Sequence, residues 1–453
     1  MSHLYAVALL LCLFHAPLFS QNLLYQTDQF GIDGAMLGGA VTAGTNDVGM
    51  TFYNPAAIHK VPAQFSISII QPKLTTFGFK EFWGDNENSR STNSLKLRPS
   101  LISFKFKLKG LDIAFLNISK SDFSDAFRTE RELITGELRT AQYFDYHFRG
   151  KDDWFGLGTN LQIAPNLFVG ISQFVRSASF SYGTNTFVEE INLQQGNQLN
   201  RLTSLNFEGS YNNLGFVSKG GILLDTDKHD LGLTLTTPTY LRLTRTGDLF
   251  FAQTRLTDGT LRVDQVIETE ITPVIRSPWE WNLGYSLQLT PKQKIWSTAS
   301  YHQPIADYDM ATATTFDHTI QWRNGSKAVY NISLGYSHTI NPSLQLSGAI
   351  RTNNFAYENK APGPDRVRNI ILDGNHIHGV IGSKIAFNRS SILLGIDYGT
   401  IRNIPDAEDF QRLASLNGIS PSLSGLTKNS LSILFTYGFV VDGIKQMSRN
   451  QKE

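Results

Sequence analysis

The stretch that decides the fold is WEWNLGYSLQL, residues 279–289, in which apolar residues alternate with small or polar ones. Successive side chains of a β-strand point to opposite faces, so this segment has one apolar face and one small or polar face. About ten residues is also the length of a tilted strand that crosses a bilayer. The stretch therefore predicts a membrane-crossing β-strand.

The same alternation recurs along the chain. Residues 330–340 and 430–441 repeat it clearly, each with an apolar set spaced by two. Taken together, the pattern predicts fourteen strands, an even number, at 63–78, 97–108, 111–121, 153–164, 167–181, 205–224, 230–246, 277–289, 294–304, 328–340, 343–354, 376–388, 391–402 and 428–441.

The connections between these strands fall into two classes. Tight links rich in Asn, Asp, Gly and Pro follow alternate strands, at Lys109-Gly110, Pro165-Asn166, 225–229, 290–293, Asn341-Pro342 and Arg389-Ser390. The gaps between them are long, at 122–152, 247–276 and 403–427. Short turns on one side and long loops on the other are typical of an outer-membrane β-barrel, whereas a soluble β-sandwich has no reason to sort loops in this way. We therefore favour an all-β transmembrane barrel of about fourteen antiparallel strands.

Composition excludes several other classes. The chain has 453 residues, 40 Lys and Arg against 39 Asp and Glu, and a net charge of +1, so it lacks the basic excess of a nucleic-acid binder. Charged residues make up 17%, below the roughly 25% of an average soluble domain. After the N-terminus, the sequence has no run of 18 apolar residues that would form a membrane helix. Hence we expect no nucleic-acid partner and no helical membrane domain.

Four regions are predicted along the chain. Residues 1–20 have the layout of a secretory signal peptide, with an apolar core from Leu4 to Leu13 and a cut after Ser20. Residues 21–62 precede the first strand, 63–441 form the barrel, and 442–453 are a polar tail. An N-terminal anchor is the alternative for the first region, but ten apolar residues are too few to span a bilayer.

The cysteine content excludes several further classes of protein. Cys12 is the one cysteine of the chain and lies in the predicted signal peptide. A mature chain without cysteine has no disulfide framework, no thiol nucleophile and no cysteine-ligated metal.

The region before the first strand does not alternate. Residues 31–57 hold eleven Gly or Ala, and small residues let one backbone pack closely against another. The segment also carries apolar residues, which argue against leaving it in water: Met36, Leu37, Val41, Val48, Met50, Phe52 and Tyr53. We expect it to fold back into the barrel lumen as a plug. A periplasmic tail outside the barrel is the alternative.

Two stretches of this segment resemble a known family. Residues 34–40 (GAMLGGA) and 46–57 (NDVGMTFYNPAA) are similar to the N-terminal hatch of the FadL-type long-chain fatty acid and hydrocarbon transporters of the outer membrane. The Asn54-Pro55-Ala56 triplet matches the most recognisable motif of that family, and residues 231–247 and 277–285 resemble its barrel strands. One departure is the C-terminus, where a polar tail follows Phe439 although barrels often end on an aromatic residue.

The resemblance implies both a fold and a function. Members of the family are fourteen-stranded barrels with an N-terminal plug, so it implies a hatch or gate that includes Phe52, Tyr53, Asn54, Pro55 and Ala56. It also implies passive uptake of a long-chain fatty acid or hydrocarbon across the bacterial outer membrane. Capture would take place at the outer loops, followed by passage to a lumen site and sideways release into the membrane. No cofactor is expected, and the partners would be the hydrophobic substrate and the outer-membrane lipids.

Two other functions remain open. Some plugged barrels of this superfamily act as anchor or shuttle components of a protein secretion system, which would add a secretion-system protein as partner. A general porin for polar solutes is less favoured, because a plug and the absence of a charge-rich constriction loop both oppose it.

The sequence contains only an incomplete match to a catalytic motif. Residues 335–339 approach the G-x-S-x-G nucleophile elbow but lack its second glycine, and Ser337 and His338 fall on opposite faces of a strand. A barrel lipase is therefore the enzyme alternative, and we expect no enzyme.

Other polar and aromatic residues have simpler interpretations. His376 and His378 share a strand face, but without a third ligand we expect no metal there. Asp152-Asp153 beside Trp154 is interpreted as a charge at a strand end, at the lipid interface, in preference to a calcium site. Four tyrosines at strand ends are expected to be interface anchors: Tyr240, Tyr301, Tyr398 and Tyr437.

Overall fold

The computed structural model describes residues 24–68, 71–79, 90–98, 101–194, 196, 198–257, 259–314, 319–357, 366–368, 371, 373–403 and 426–440. The predicted signal peptide and the predicted polar tail lie outside these described residues, so their assignment stays a prediction.

Strands dominate the described part of the chain. They are β1 (Gln64–Ser68), β2 (Gln71–Phe79), β3 (Arg90–Arg98), β4 (Leu101–Leu108), β5 (Leu111–Thr135), β6 (Leu138–Ala164), β7 (Leu167–Asn192), β8 (Gln198–Asp225), β9 (His229–Thr236), β10 (Tyr240–Thr257), β11 (Thr260–Ile271), β12 (Glu280–Thr290), β13 (Gln293–His302), β14 (Ile305–Thr314), β15 (Thr319–Ser326), β16 (Val329–Asn341), β17 (Leu344–Asn353), β18 (Arg366–Arg368), β19 (Asn375–Phe387), β20 (Ser390–Asn403) and β21 (Thr427–Val440).

These strands form a closed antiparallel barrel of fourteen strands, which confirms the predicted fold class. Strand β1 pairs with β21, with Gln64 opposite Val440, and on its other edge with β4, so the sheet has no free end. Four barrel strands are interrupted and consist of two pieces each: β1 with β2, β3 with β4, β9 with β10, and β11 with β12. Strands β14, β15 and β18 form a separate three-stranded sheet.

The two faces of the barrel wall differ in the way that the alternation predicts. On β16 the outward Ile332 and Leu334 are each 55% exposed, whereas the inward Asn331 and Ser333 are buried. On β12, Trp281 and Leu283 point outward and Asn282 points inward. Apolar side chains therefore face outward and small or polar ones face inward, as a strand in lipid requires.

The tight links occur where the sequence predicts them. Strands β4 and β5 are joined by Lys109-Gly110, and both residues have positive φ, of 49° and 86°. Positive φ at both central residues is the geometry of the hairpin turn that matches strand twist, and glycine adopts it without strain. The six short turns each follow every second strand of the antiparallel barrel, so they lie at the same end.

The long connections are different from the prediction. The region 122–152 is not a loop, because β5 and β6 continue as one paired hairpin to a turn at 136–137. The region 247–276 is largely the β10–β11 hairpin, and 404–425 lies outside the described residues. On this part of β5, Arg128, Glu130 and Glu132 are exposed whereas Phe127 is buried. Polar side chains face outward in this part of the strand. The outward apolar residues that mark a strand in lipid therefore end here, although the strand itself continues.

Short helices occupy the region before the barrel: α1 (Ile32–Met36), α2 (Met50–Tyr53) and a 3₁₀ helix (Pro55–Lys60). None of the helices in the described residues is long and apolar enough to cross a membrane.

Candidate functional site

The N-terminal segment, residues 24–62, is largely buried and contacts the inward face of strands around the barrel. Lys105 on β4 donates to the carbonyl oxygen of Ile58 at 2.8 Å. Ser172 on β7 donates to the carbonyl oxygen of Thr51 at 2.7 Å. On other sides, Thr298 on β13 accepts from the Thr42 amide, and Gly335 on β16 lies against Leu37.

Asn54 holds two turns of this segment together. Its Oδ1 accepts from the Ala56 amide at 3.0 Å, which caps the 3₁₀ helix that begins at Pro55. Its Nδ2 donates to the carbonyl oxygens of Thr42, at 2.8 Å, and Ile222, at 3.2 Å. The amide thus satisfies backbone groups both of the segment and of β8.

Glycines in the barrel wall make room for this turn. A Cβ atom at Gly170 would meet the backbone of Pro55 and Ala56, and one at Gly221 would meet the Asn54 side chain. Backbone therefore approaches backbone here as only glycine permits. Among the residues of the predicted hatch, the structure brings together Asn54, Pro55 and Ala56 at the wall of β7 and β8.

Phe52 and Tyr53 contact other residues than the Asn54 turn does. Phe52 packs edge-on against Trp154 of β6, with ring centroids 5.7 Å apart. The Tyr53 hydroxyl donates to Gln29 Oε1 at 2.9 Å and accepts from the Phe30 amide at 2.8 Å, and burial raises the pKa of this phenol. These contacts fix α2 against the first residues of the segment.

Ion pairs link the segment to the wall on several sides. Lys60 lies 2.7 Å from Asp225, Lys384 lies 3.1 Å from Asp33, and Lys73 lies 3.1 Å from Asp28. Because these pairs are partly buried, salt screens them less than it screens surface pairs.

Asp47 is a buried acid within the segment. It accepts from the amides of Asp33, at 2.8 Å, and Gly49, at 2.9 Å. Burial, and then the neighbouring charge of Asp33, raise the pKa of Asp47 to about 6.

Charged residues form a layer beyond the segment. Arg176 on β7 binds both oxygens of Asp152 on β6, at 2.7 and 3.0 Å, and Trp154 Nε1 donates to the same carboxylate. Asp152 is therefore not a strand-end charge at the lipid interface, as the sequence interpretation had it. The residue is buried on the inward face in mid-strand, since β6 extends well before residue 153.

Four further members of this layer come from four different strands: Lys120 on β5, Lys219 on β8, Glu280 on β12 and His302 on β13. Lys219 Nζ lies 3.6 Å from Glu280 Oε1, and Lys120 Nζ lies 4.0 Å from Glu280 Oε2. The Lys120 ammonium also lies over the Trp154 ring, 4.6 Å from its centroid. Sequence reasoning missed this cluster, although Glu280 is a charge on the otherwise neutral inward face of its strand.

The two predicted face-sharing histidines belong to a second charged cluster. His376 Nε2 lies 2.6 Å from Asp373, and Lys428 bridges Asp373, at 2.6 Å, to Asp125, at 2.7 Å. His378 lies 2.9 Å from Asp397. Each histidine thus has its own carboxylate partner, and no group of metal-binding side chains occurs among the described residues.

An aromatic cluster fills the interior on the side of the long hairpins. Its buried members include Phe127, Tyr146, Tyr182, Phe207 and Trp322. The ring of Phe207 meets Trp322 edge-on at 5.9 Å. From the long hairpins inward, the interior therefore runs from aromatic to charged side chains and then to the N-terminal segment.

The barrel wall has a seam between β3 and β5. The ladder between β4 and β5 ends at Leu101 opposite Ile118, and in the described ladders β3 pairs with β2. Beyond that point the two strands are bridged by side chains: Thr92 donates to the Ala126 carbonyl at 2.8 Å, and Lys96 forms an ion pair with Asp122. A cleft of about 470 Å³ opens beside the seam.

The four predicted tyrosine anchors have different surroundings. Tyr398 is 49% exposed on the outward face. Tyr301 packs against Tyr330, 5.0 Å away, and Tyr437 lies 3.0 Å from the Ser390 hydroxyl. Tyr240 donates to Gln173 at 2.7 Å.

Known structures share this fold. A Pseudomonas aeruginosa FadL homologue matches with a TM-score of 0.52 and 10% identity, over 94% of this chain and 100% of the other. The Pseudomonas putida toluene transporter TodX matches with a TM-score of 0.55 and 12% identity, over 92% and 99%. The CymD monoaromatic hydrocarbon channel matches with a TM-score of 0.55 and 10% identity, over 92% and 99%. Because the sequence identities are this low, the similarity shows the fold alone.

In comparisons of sequence, no family model and no curated protein matches this chain.

Proposed function

We propose that this protein is an outer-membrane channel through which small hydrophobic molecules pass inward without an energy source. The observation that carries the proposal is the aromatic cluster inside the barrel, on the side of the long hairpins. Buried apolar surface stabilises a hydrophobe by about 25 cal/mol per Å², which a water-filled pore does not offer. The names of the TodX and CymD structures, a toluene transporter and a monoaromatic hydrocarbon channel, favour the same class of substrate over an enzymatic role.

The N-terminal segment is proposed to be the plug of this channel. Support comes from its contacts, which reach β4, β7, β8, β13 and β16. In this proposal Phe52, Tyr53, Asn54, Pro55 and Ala56 form the gate, because they hold α2 and the 3₁₀ helix against the wall. Any passage through the barrel then requires this segment to shift.

The exit is proposed to lie at the seam. Among the described residues between β3 and β5, contacts made by the side chains of Thr92 and Lys96 take the place of a backbone ladder, so this part of the wall separates at a lower cost than a paired edge. A hydrophobe that leaves there enters the membrane directly and avoids water.

The plug is tested by locking it to the wall. A Cβ atom at Gly335 would lie 3.2 Å from Leu37 Cβ, close to the separation of about 3.5–4.5 Å in disulfides. We expect the double variant Leu37→Cys, Gly335→Cys to lose toluene uptake into liposomes when oxidised and to regain it when reduced.

The two single cysteine variants serve as controls and should respond to neither oxidation nor reduction. Equal uptake by the locked and unlocked forms would refute a moving plug. That result would favour the role of an anchor or shuttle in protein secretion, which predicts a stoichiometric protein partner on purification.

A further inference from the structure

A row of four inward-facing side chains crosses four neighbouring strands of the barrel wall. Lys219 on β8 lies opposite Thr236 on β9. Glu280 on β12 lies opposite Thr236 on one side and opposite His302 on the other. Lys219, Thr236 and His302 are at most 3% exposed. Because residues directly opposite each other in a sheet have Cβ atoms about 4.5–5.5 Å apart, the row is a compact polar patch inside the barrel.

Two members of this row carry buried hydrogen-bonding groups that no other group of the described chain uses. Among the described residues, neither the Thr236 hydroxyl nor either ring nitrogen of His302 has a hydrogen-bond partner. One face of the imidazole is stacked on Tyr25 of the N-terminal segment, with ring centroids 3.9 Å apart. Buried polar atoms are normally hydrogen-bonded, so these groups indicate a partner that is not part of the chain.

The unpartnered groups line the same small cavity. Its volume is about 30 Å³, and its lining includes Thr236, His302, Tyr25, Lys120 and Glu280. This volume has room for one or two atoms the size of a water oxygen. The partner is therefore a water molecule or an ion of similar size, and an organic molecule does not fit.

The charges around the cavity distinguish between these two partners. Lys120 Nζ lies 4.0 Å from one oxygen of Glu280, and Lys219 Nζ lies 3.6 Å from the other. In the described part of the chain, neither ammonium group has another carboxylate oxygen within 4 Å. Arg176 also lines the cavity, but it is paired with Asp152. Two positive groups thus share one negative group, and one positive charge remains.

Lys120 also keeps hydrogen-bond donors for a ligand. Its distance of 4.0 Å from Glu280 is longer than a hydrogen bond, and Glu280 Oε1 already accepts from Asn282 Nδ2 at 2.7 Å. The ammonium group lies over the Trp154 ring, 4.6 Å from its centroid. The ring attracts this cation but does not neutralise it. A buried charge without a full partner is costly, which favours an anion over water in the cavity.

We propose that this cavity is a binding site for a small monovalent inorganic anion such as chloride. The anion accepts hydrogen bonds from the Lys120 ammonium, the Thr236 hydroxyl and one ring nitrogen of His302. It balances the positive charge that Glu280 leaves unbalanced. Because Tyr25 is stacked on His302, an anion that fixes the imidazole also fixes the start of the N-terminal segment against the wall.

The site is tested by urea unfolding of the full chain in a non-ionic detergent. Sodium chloride replaces sodium gluconate at constant ionic strength, since gluconate is too large for the cavity. We expect the urea concentration at half-unfolding to rise with chloride and then to level off, as saturation of a site in the folded state requires. No dependence on chloride would indicate water as the occupant, and a rise without levelling would indicate a general salt effect. Either result would overturn the proposal.

Thr236→Val is the sharpest variant, because it removes a hydroxyl that has no partner among the described residues and keeps the shape of the side chain. We expect the chloride concentration at half-saturation to rise about tenfold, since one hydrogen bond to a charged group is lost.

Thr234→Val is the matched control on the same strand. Thr234 is also inward and buried, but its hydroxyl oxygen accepts from Asn282 Nδ2 at 3.1 Å, and it does not line the cavity. Its substitution should leave the half-saturating chloride concentration unchanged. Equal effects of the two valine variants would overturn the proposal.

Two charge variants should act in opposite directions. Lys120→Met removes the ammonium group that binds the anion, so the dependence of unfolding on chloride should disappear. Glu280→Gln removes the carboxylate that repels the anion, so half-saturation should occur at a lower chloride concentration. Weaker chloride binding in both variants would overturn the proposal, because it would indicate only a disturbed interior.

Bromide locates the site directly, because its anomalous scattering distinguishes it from water. In crystals of the full chain soaked in sodium bromide, we expect an anomalous peak beside Lys120, Thr236 and His302. A chloride effect in solution without a bromide peak in this cavity would overturn the assignment. The anion site does not rest on the proposed function, since toluene uptake tests the channel and chloride dependence of unfolding tests the site.

Discussion

At the scale of single residues, Asn54 is the side chain on which the packing of the N-terminal segment depends most directly. It is completely buried and bonds to Ala56, Thr42 and Ile222. We predict that Asn54→Ala loosens the segment by about 2 kcal/mol, because the carbonyl oxygens of Thr42 and Ile222 and the amide of Ala56 each lose a buried hydrogen bond. Ion conductance of the barrel in planar bilayers should rise.

The control for this prediction is Asn160→Ala. Asn160 is also buried on the inward side, but its Oδ1 has no partner among the described residues. An equal rise in conductance in both variants would show that Asn54 has no special role.

Asp47 makes the stability of the N-terminal segment dependent on pH. Its folded-state pKa of about 6 lies above the ordinary value near 4, so the folded state binds a proton more tightly than the unfolded state. Stability should therefore be highest below pH 4, where Asp47 is protonated in both states, and fall as the pH rises through about 6. Urea unfolding of the wild type and of Asp47→Asn measures this, and the variant should lack that part of the fall.

At the scale of elements, β21 tests which face of a strand meets lipid. Leu431 and Ile433 are 40% and 52% exposed, whereas Thr436 is completely buried. We predict that Phe435→Arg, near mid-strand on the outward side, costs roughly 2–4 kcal/mol in an unfolding assay. Phe439→Arg, on the same face near the short turns, should cost about 1 kcal/mol or less. Equal costs would place the membrane elsewhere along the strand.

The elements also show why part of the fold can be predicted from the sequence. The strands in the membrane alternate between an apolar and a polar face, and turns such as Lys109-Gly110 carry their own signal. The β5–β6 extension was missed because Arg128 and Glu130 face water there, so the lipid-facing apolar set is absent. In the sequence, the point where a strand leaves the lipid and enters water therefore looks like the end of the strand.

The interior sites lie beyond this kind of reasoning. The charged cluster forms only because four strands have particular registers, which bring together Lys120, Lys219, Glu280 and His302. Alternation in the sequence predicts the face on which a residue lies but not its position along the barrel axis. Lys120 also lies at an irregularity in the β5–β6 ladder, between Ser119 and Ser121. Bulges of this kind re-aim a side chain, and the sequence carries no signal for them.

At the scale of the whole molecule, the barrel has one end with short turns and one end with long hairpins. In barrels of the outer membrane the long connections face outward. We predict that Glu137→Cys, at the tip of the exposed β5–β6 hairpin, reacts with a membrane-impermeant maleimide on intact cells. Pro342→Cys, in an exposed short turn at the opposite end, should react only after the outer membrane is broken. Because the predicted mature chain has no other cysteine, each signal belongs to one position, and labelling of both on intact cells would contradict this orientation.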